Sequence, residues 1–375
     1  MRIAVAAACA VTTALALAAC GSKTTSAKSS TPPAGTGSAA APASGGGSTA
    51  AAAGGALKAC MVLDTGGVDD KSFNQSSYAG LKAAQAGNPK IQISYVPSQS
   101  GNDYTPNLKA EVTKGCDAII AVGGLMSANV KSVAAANPKS QFAEVDSASS
   151  GPNVYGLQFN TAQGGFLGGY LAAGMTKSGK VATWGGLNIP PVTIYMDGFW
   201  EGVQYYNKQK SKNVQVLGWN EKNQKGGTFA QSFTDQNKGK QISQTFIQQG
   251  ADIIFPVAGG AGLGAGAAAQ ASGGKASVIW VDTDGCESVS QFCKYFLTSV
   301  TKNLADSVRI YTEAAASGKF PTGSYVGTLE NDGTALAPFH EFDSKVPSGL
   351  KSELDQVKKD IIAGKIKITS PSQPK

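Results

Sequence analysis

Asp64, Asp69, Asp70, Lys71, Phe73 and Asn74 fall within eleven residues, in the stretch DTGGVDDKSFNQSSYAGL that follows the apolar run ACMVL. A turn from a strand into a helix needs a glycine and a cap, not three carboxylates, a cation, an aromatic ring and an amide. An ionised carboxylate accepts from two neighbouring hydroxyls at once. An aromatic face stacks on a flat ring, and Gly66 and Gly67 allow close backbone approach or positive φ. Each group also has a plainer reading. Phe73 could staple the helix by packing on Tyr78 or Leu81, and Asp69 and Asp70 could serve its N-terminus, with Ser72 or Asn74 as the cap. Farther along, Asp282 ends the apolar run SVIWVD, where it could hold a diol or cap the next helix. Lys302 could offset such acids or lie on the surface.

Catalytic chemistry has little to stand on. The chain holds a single histidine, His340, which cannot build a histidine metal cage and makes a Ser-His-Asp triad improbable. Neither a metal site nor a cofactor is expected, and the protein reads as a binder rather than an enzyme. One pattern points the other way. GAGLGA, Gly260 to Ala265, follows ADIIFPV, precedes a helical pattern and lies about twenty residues before Asp282, as in a dinucleotide-binding turn. On that reading the protein would be a secreted oxidoreductase. The same glycine turn at a strand end would also bring backbone N–H groups to any ribose-bearing ligand, so Gly260 is a candidate contact on either reading.

The N-terminus sets the compartment. Arg2, the apolar run IAVAAACAVTTALAL and LAAC at Leu17 to Cys20 form a bacterial lipoprotein leader, residues 1–19, with Cys20 as the lipidated residue. Residues 20–56 hold mostly Ser, Thr, Ala, Gly and Pro and should form a flexible tether. The body, 57–375, is thus expected outside the cytoplasm, on the cell membrane through its lipid. Without Arg2, the chain carries 31 Lys+Arg against 25 Asp+Glu, scattered singly and with no run longer than Lys358-Lys359. That distribution argues against a nucleic-acid partner. Once Cys9 and Cys20 are set aside, Cys60, Cys116, Cys286 and Cys293 remain, an even number in an oxidising compartment. Of three possible connectivities, Cys60–Cys116 with Cys286–Cys293 is favoured. The first pair begins two strands expected to be neighbours, and the second closes a short loop; four free thiols is the alternative.

These residues are positioned by a repeating order of elements. LKACMVLD, IQISYVP, CDAIIAVG, QFAEVD and NVYGLQF read as strands, separated by the helical stretches NQSSYAGLKAAQAG, YTPNLKAEVTKG and ANVKSVAAANP. The strands are continuously apolar, as in a parallel sheet covered on both faces. GKVATWGG, NVQVLGWN, ADIIFPVAG, SVIWVD and YFLTSV then repeat the pattern, with helices near 193–208, 238–249, 262–272 and 301–317. Two parallel α/β units in one exported chain predict a two-lobed, type I periplasmic-binding-protein fold with a hinge. Lobe 1 is expected at about 57–158 and 296–320, and lobe 2 at about 159–295 and 321–375. Ligand in such folds sits between the lobes, at the carboxyl ends of strands.

Taken in order, DTGGVDDKSFNQSSYAGL, NVYGLQFNTAQGGFLGGYLAAGMTKSGKVATWGG, PVTIYMDGFWEGV, GADIIFPVAGGAGLGA, VIWVDTDG and LTSVTKNL resemble the successive signatures of the basic membrane protein family, from about Leu57 to Lys319. These are the PnrA-like substrate-binding lipoproteins of ABC importers, whose typical cargo is purine nucleosides. The resemblance implies a monomer that binds a purine nucleoside and partners permease and ATPase subunits; a ligand sensor of the same fold is the alternative. It also implies that Asp64, Phe73 and Asn74 line the site, that Asp282 holds the ribose diol and that Lys302 approaches from the hinge side. Asp146, ending QFAEVD, would contact the base. Phe255 is the preferred second aromatic wall, with Phe233, Trp219 and Phe199 left open. Two departures stand out: the segment 218–235 is longer than the family's usual loop, and the Cys286/Cys293 pair has no general counterpart.

Overall fold

The computed structural model describes residues 56–374. The leader expected at 1–19, the lipidated Cys20 and the tether up to Gly55 lie outside the described residues.

Alternating strands and helices begin the first lobe: β1 (Leu57–Leu63), α1 (Phe73–Gly87), β2 (Ile91–Pro97), α2 (Tyr104–Thr113), β3 (Ala118–Val122), α3 (Ser127–Ala136), β4 (Gln141–Val145) and β5 (Val154–Phe159). The chain then crosses to α4 (Ala162–Met175), β6 (Lys180–Gly185), α5 (Pro190–Lys210), β7 (Gln215–Leu217), α6 (Gln236–Gln248), β8 (Ile253–Val257), α7 (Leu263–Ala271), β9 (Ser277–Asp282), the single turn α8 (Gly285–Ser288) and β10 (Phe296–Lys302). It ends with α9 (Leu304–Ala316), β11 (Ser324–Gly327), β12 (Thr334–Leu336) and α10 (Ser348–Ile362).

The two sheets repeat one topology, β11-β5-β4-β3-β1-β2 and β12-β10-β9-β8-β6-β7. All pairs are parallel except β10 with β12. β1, β3 and β8 are buried along their whole length, apart from a half-buried Lys58 in β1, as their continuous Val, Ile and Ala content requires. α5 opens with proline in its first turn and closes with Lys208 and Lys210, suited to the two ends of the helix dipole. Disulfides join Cys60 to Cys116 and Cys286 to Cys293, the expected connectivity.

The lobe boundaries correct the sequence expectation. β10, expected in lobe 1, lies in the second sheet, parallel to β9. β11, expected in lobe 2, pairs with β5 in the first sheet. The physical reason is the repeat itself: β10 stands beside β9 as β5 stands beside β4, so the chain crosses after the strand and not before it. Crossings fall at 160–161, 303 and 328–333, tied by Asn160 N–H to Gly327 O (2.7 Å) and Asn303 N–H to Gly333 O (2.9 Å).

Candidate functional site

Both lobes turn the carboxyl ends of their strands toward one cavity enclosing about 560 Å³ of non-atom space, including solvent at its mouth. Asp64, Phe73, Asn74, Asp146, Asp282 and Lys302 all line it. Six of the eight sequence candidates therefore meet, although more than two hundred residues separate the first from the last.

At the first-lobe wall, Asp70 caps α1. Its Oδ1 accepts from Ser72 N–H (3.0 Å) and Gln75 N–H (3.1 Å), and its Oδ2 from Asn74 N–H (2.8 Å). The cap expected from Ser72 or Asn74 is thus supplied by Asp70. The Asn74 side-chain amide is held between two acids, its Nδ2 donating to Asp64 Oδ1 (2.7 Å) and Asp70 Oδ2 (3.2 Å). With its N–H₂ committed, Asn74 Oδ1 remains a buried acceptor with no partner. Asp64 packs against Gly123, whose φ is 121° and where a side chain would be strained and would crowd the acid, since a Cβ there would lie 2.8 Å from Asp64 Oδ2.

Asp146 directly follows β4 and Asp282 ends β9, the third strands of the two sheet orders, and both adopt the left-handed backbone region, φ 66° and 65°. In non-glycine residues this conformation is uncommon and clusters at functional sites. Lys302 lies between them, its Nζ 3.0 and 2.9 Å from the two Asp146 oxygens and 3.8 Å from Asp282 Oδ1. The same ammonium sits 4.7 Å from the Phe73 ring centroid. Asp282 also accepts from Tyr195 Oη (2.8 Å) and, across the cleft, from Ser72 Oγ (2.7 Å).

Four carboxyls, Asp64, Asp70, Asp146 and Asp282, face one lysine among the described cavity residues. Burial raises the Asp64 carboxyl above its ordinary range, against Asn74, Gly66 and Lys302, which pull it down. Burial likewise raises Asp146 despite Lys302, and pushes Asp70 up to about 6 despite its N–H donors. Burial first, and Asp282 second, hold the Tyr195 hydroxyl protonated. The arrangement suits a neutral ligand rich in N–H and O–H donors. It is poorly suited to an anion.

Two candidates do not reach the cavity. Phe255 is fully buried on β8, packed between Tyr195 and Phe199 with ring centroids 6.1 and 5.4 Å away. Besides Phe73, the aromatics in the wall are Tyr195 and Phe233, the latter resting against Gly186 just after β6. Gly260 is buried between the backbones of Asp70 and Phe233, and its neighbour Gly259 lines the cavity in its place. The glycines of GAGLGA are accounted for by packing: Gly264 admits the backbone of α6 and Gly262 lies under Trp280. Sequence reasoning missed Tyr195 and Asp70 as cavity-lining residues and the bond from Ser72 to Asp282. Tyr195 lay in the quoted signature PVTIYMDGFWEGV, but α5 is apolar around its first turns and gives no sign of which residue faces the cleft. The two clusters of metal-ligand residue types among the described residues, Cys60/Glu111/Cys116 and Asp284/Cys286/His340, each include a disulfide sulfur.

The sequence pattern of the family described as ABC transporter substrate-binding protein PnrA-like matches residues 57–370. The chain belongs to that family. It is 30% identical over 336 residues to an ABC transporter nucleoside-binding protein of Lactococcus lactis, covering 84% of this chain and 89% of that one. It is 29% identical over 313 residues to basic membrane protein A1 of Borrelia garinii, covering 81% and 86%. Among solved structures, a solute-binding protein of an Aeropyrum pernix ABC transporter superposes with a TM-score of 0.72 at 24% identity, covering 84% of this chain and 94% of that one. One from Conexibacter woesei gives 0.64 at 20%, covering 85% and 100%. The fold is that of the two-lobed type I solute-binding proteins. As a member of this family, the protein is a substrate-binding component of an ABC transporter, and the family's business is capture of a small molecule rather than its conversion.

Proposed function

We propose that the protein captures purine nucleosides between its lobes and hands them to a permease, working as a monomer held to the outer face of the cell membrane by lipid on Cys20. The observation that carries this reading is that aromatics from the two lobes, Phe73 and Phe233, line one largely apolar cavity whose polar side chains are mostly carboxyls. A base stacked on such faces gains roughly 1–3 kcal/mol. The unpartnered Asn74 Oδ1, beside Asp64, calls for an N–H on the base edge. Asp282 offers carboxylate oxygens to a ribose diol and Asp146 an acceptor to the base, with Lys302 balancing part of their charge. The nucleoside-binding relative in Lactococcus lactis supports the same class of ligand. A nucleotide's phosphate would meet like charge and bind poorly.

Calorimetric titration with adenosine, guanosine, inosine, uridine, adenine and ribose tests the reading. Purine nucleosides should bind more tightly than uridine, free base or free sugar. If none of the six binds, the nucleoside assignment fails and only a substrate-binding protein of other cargo remains.

A further inference from the structure

The residues after α10 run back across the second lobe. Ile366 and Ile368 pack on its core. Thr369 donates from both N–H and Oγ to Glu201 Oε1 (2.7 Å each), and Ser370 Oγ donates to Asp197 Oδ2 (2.6 Å). Ser372 Oγ lies 2.9 Å from Thr193 Oγ, and Gln373 Nε2 donates to Asn160 Oδ1 at the crossing between lobes (3.2 Å).

Asp197 is the point where this segment meets the cavity wall. It is fully buried on α5, one half-turn from Tyr195. Its other oxygen accepts from Trp219 Nε1 (2.9 Å) and Gln224 Nε2 (2.8 Å), both in the long segment 218–235. That segment goes on to carry Phe233 into the cavity. On the way Trp219 packs edge-on against Phe229, and Thr228 and Ala230 pair with Gly185 at the end of β6. One buried carboxylate therefore ties together the C-terminal segment, the helix that presents Tyr195 and the loop that presents Phe233. Burial, then the neighbouring Glu201, raises the Glu221 carboxyl, whose Oε1 lies 3.4 Å from the Thr369 hydroxyl.

We propose that residues 366–374 act as a strap that positions the second-lobe wall of the ligand cavity through Asp197, with Ser370 and Asp197 as positioning residues that touch no ligand. The proposal rests on the reading of that cavity as a nucleoside site for its consequence, but not for its structural part. With the strap in place, the loop 218–235 holds Phe233 against the ligand. Without it, Asp197 keeps its indole and amide partners but loses the third bond, so the carboxylate that fixes Trp219 and Gln224 is itself held less firmly. The nucleoside would then escape past a loosened wall, whereas its approach would be little changed, because the first lobe and its Phe73 are untouched.

The test compares wild type with Ser370→Ala, Ser370→Thr, Asp197→Asn and a chain lacking residues 369–375. Hydrogen exchange, measured without nucleoside, should rise about tenfold or more at the Thr228 and Ala230 amides in Ser370→Ala, Asp197→Asn and the shortened chain, and stay level at β1. Dissociation of inosine, followed by stopped-flow fluorescence, should quicken about tenfold in the same three proteins, with association within about twofold. Ser370→Thr, which keeps the hydroxyl, should match wild type in both. Unchanged exchange at 228 and 230 in Ser370→Ala would overturn the strap whether or not inosine binds. Raised exchange with an unchanged inosine off-rate would overturn its positioning role. If wild type itself does not bind inosine, the nucleoside reading is what fails, and the exchange data still decide the strap. Should the shortened chain not fold, Ser370→Ala carries the test alone.

Discussion

Lys302 and Asp146 belong to opposite lobes, yet the lysine Nζ lies 2.9 Å from Asp146 Oδ2 with both side chains more than nine-tenths buried. A buried ion pair gives little net stability, because desolvation offsets its Coulomb attraction, but removing one partner strands the other. Lys302→Met should therefore cost about 3–5 kcal/mol at pH 7. Burial already raises the Asp146 carboxyl and Lys302 holds it down. Without the lysine that carboxyl rises further, so the deficit should shrink as pH falls and the acid takes up a proton. Urea unfolding of both proteins at pH 8 and pH 5 checks it; an equal deficit at both would show that Asp146 does not titrate in the variant.

Glu144, two residues before Asp146 on β4, gives the clearest pH signature. It is fully buried, neither oxygen has a hydrogen-bond partner, and burial pushes its carboxyl up to about 7. A folded-state value above the unfolded one means that the native protein binds the extra proton. Stability then falls as pH rises from about 4.5 to about 7, and the loss is complete above that window. Glu144→Gln removes the titration and should exceed wild type by about 3 kcal/mol at pH 8, with the gap closing toward pH 4.5. Guanidinium melts across that range measure it. A constant gap would mean that Glu144 is not the titrating group.

How far these features were legible before folding depended on whether a residue's role was local. Asp64, Asp146, Asp282 and Lys302 end strands, and strand ends can be read from apolar runs, so topology alone brings them to one cleft. Phe73 and Asn74 open a helix and were equally readable. Phe233 was not, because the segment 218–235 has neither period to reveal which ring turns inward, and Phe255 in a clean apolar strand looked the better candidate for the very reason that it belongs to the core. Ser72 and Tyr195 meet Asp282 only through contacts between elements 210 and 87 residues apart in the chain.

The three crossings at 160–161, 303 and 328–333 give the lobes a narrow connection, while each lobe supplies only part of the cavity wall. Ligand should favour the closed arrangement. Small-angle scattering with and without saturating inosine should give a smaller radius of gyration in the complex. An identical radius would count against hinge closure and leave binding itself untouched.

The two disulfides close loops of very different length, with sequence separations of 56 and 7 residues. On the chain-entropy account, the longer loop should matter more: about 4 kcal/mol for Cys60–Cys116 against about 2–3 for Cys286–Cys293. Thermal melts of the two double Cys→Ser variants should rank in that order. The opposite ranking would mean that native-state packing around Cys286 outweighs the loop-closure entropy.

Phe233 and Phe255 offer a reciprocal pair of substitutions. Phe233 is half-buried in the cavity wall, so Phe233→Ala should remove stacking on the base and weaken inosine binding about ten- to a hundredfold. It should lower stability by no more than about 1 kcal/mol, since little core is lost. Phe255 is fully buried beneath Tyr195 and Phe199. Phe255→Ala opens a cavity in the second-lobe core and should cost about 3–5 kcal/mol. Its effect on affinity should be indirect, through the Tyr195 hydroxyl that Asp282 accepts from, and so smaller than that of Phe233→Ala at a temperature where both variants are folded. Calorimetric affinities set beside thermal melts decide the assignment. If Phe255→Ala weakens inosine binding more than Phe233→Ala does, then the wall that touches the base is the one first expected from the sequence.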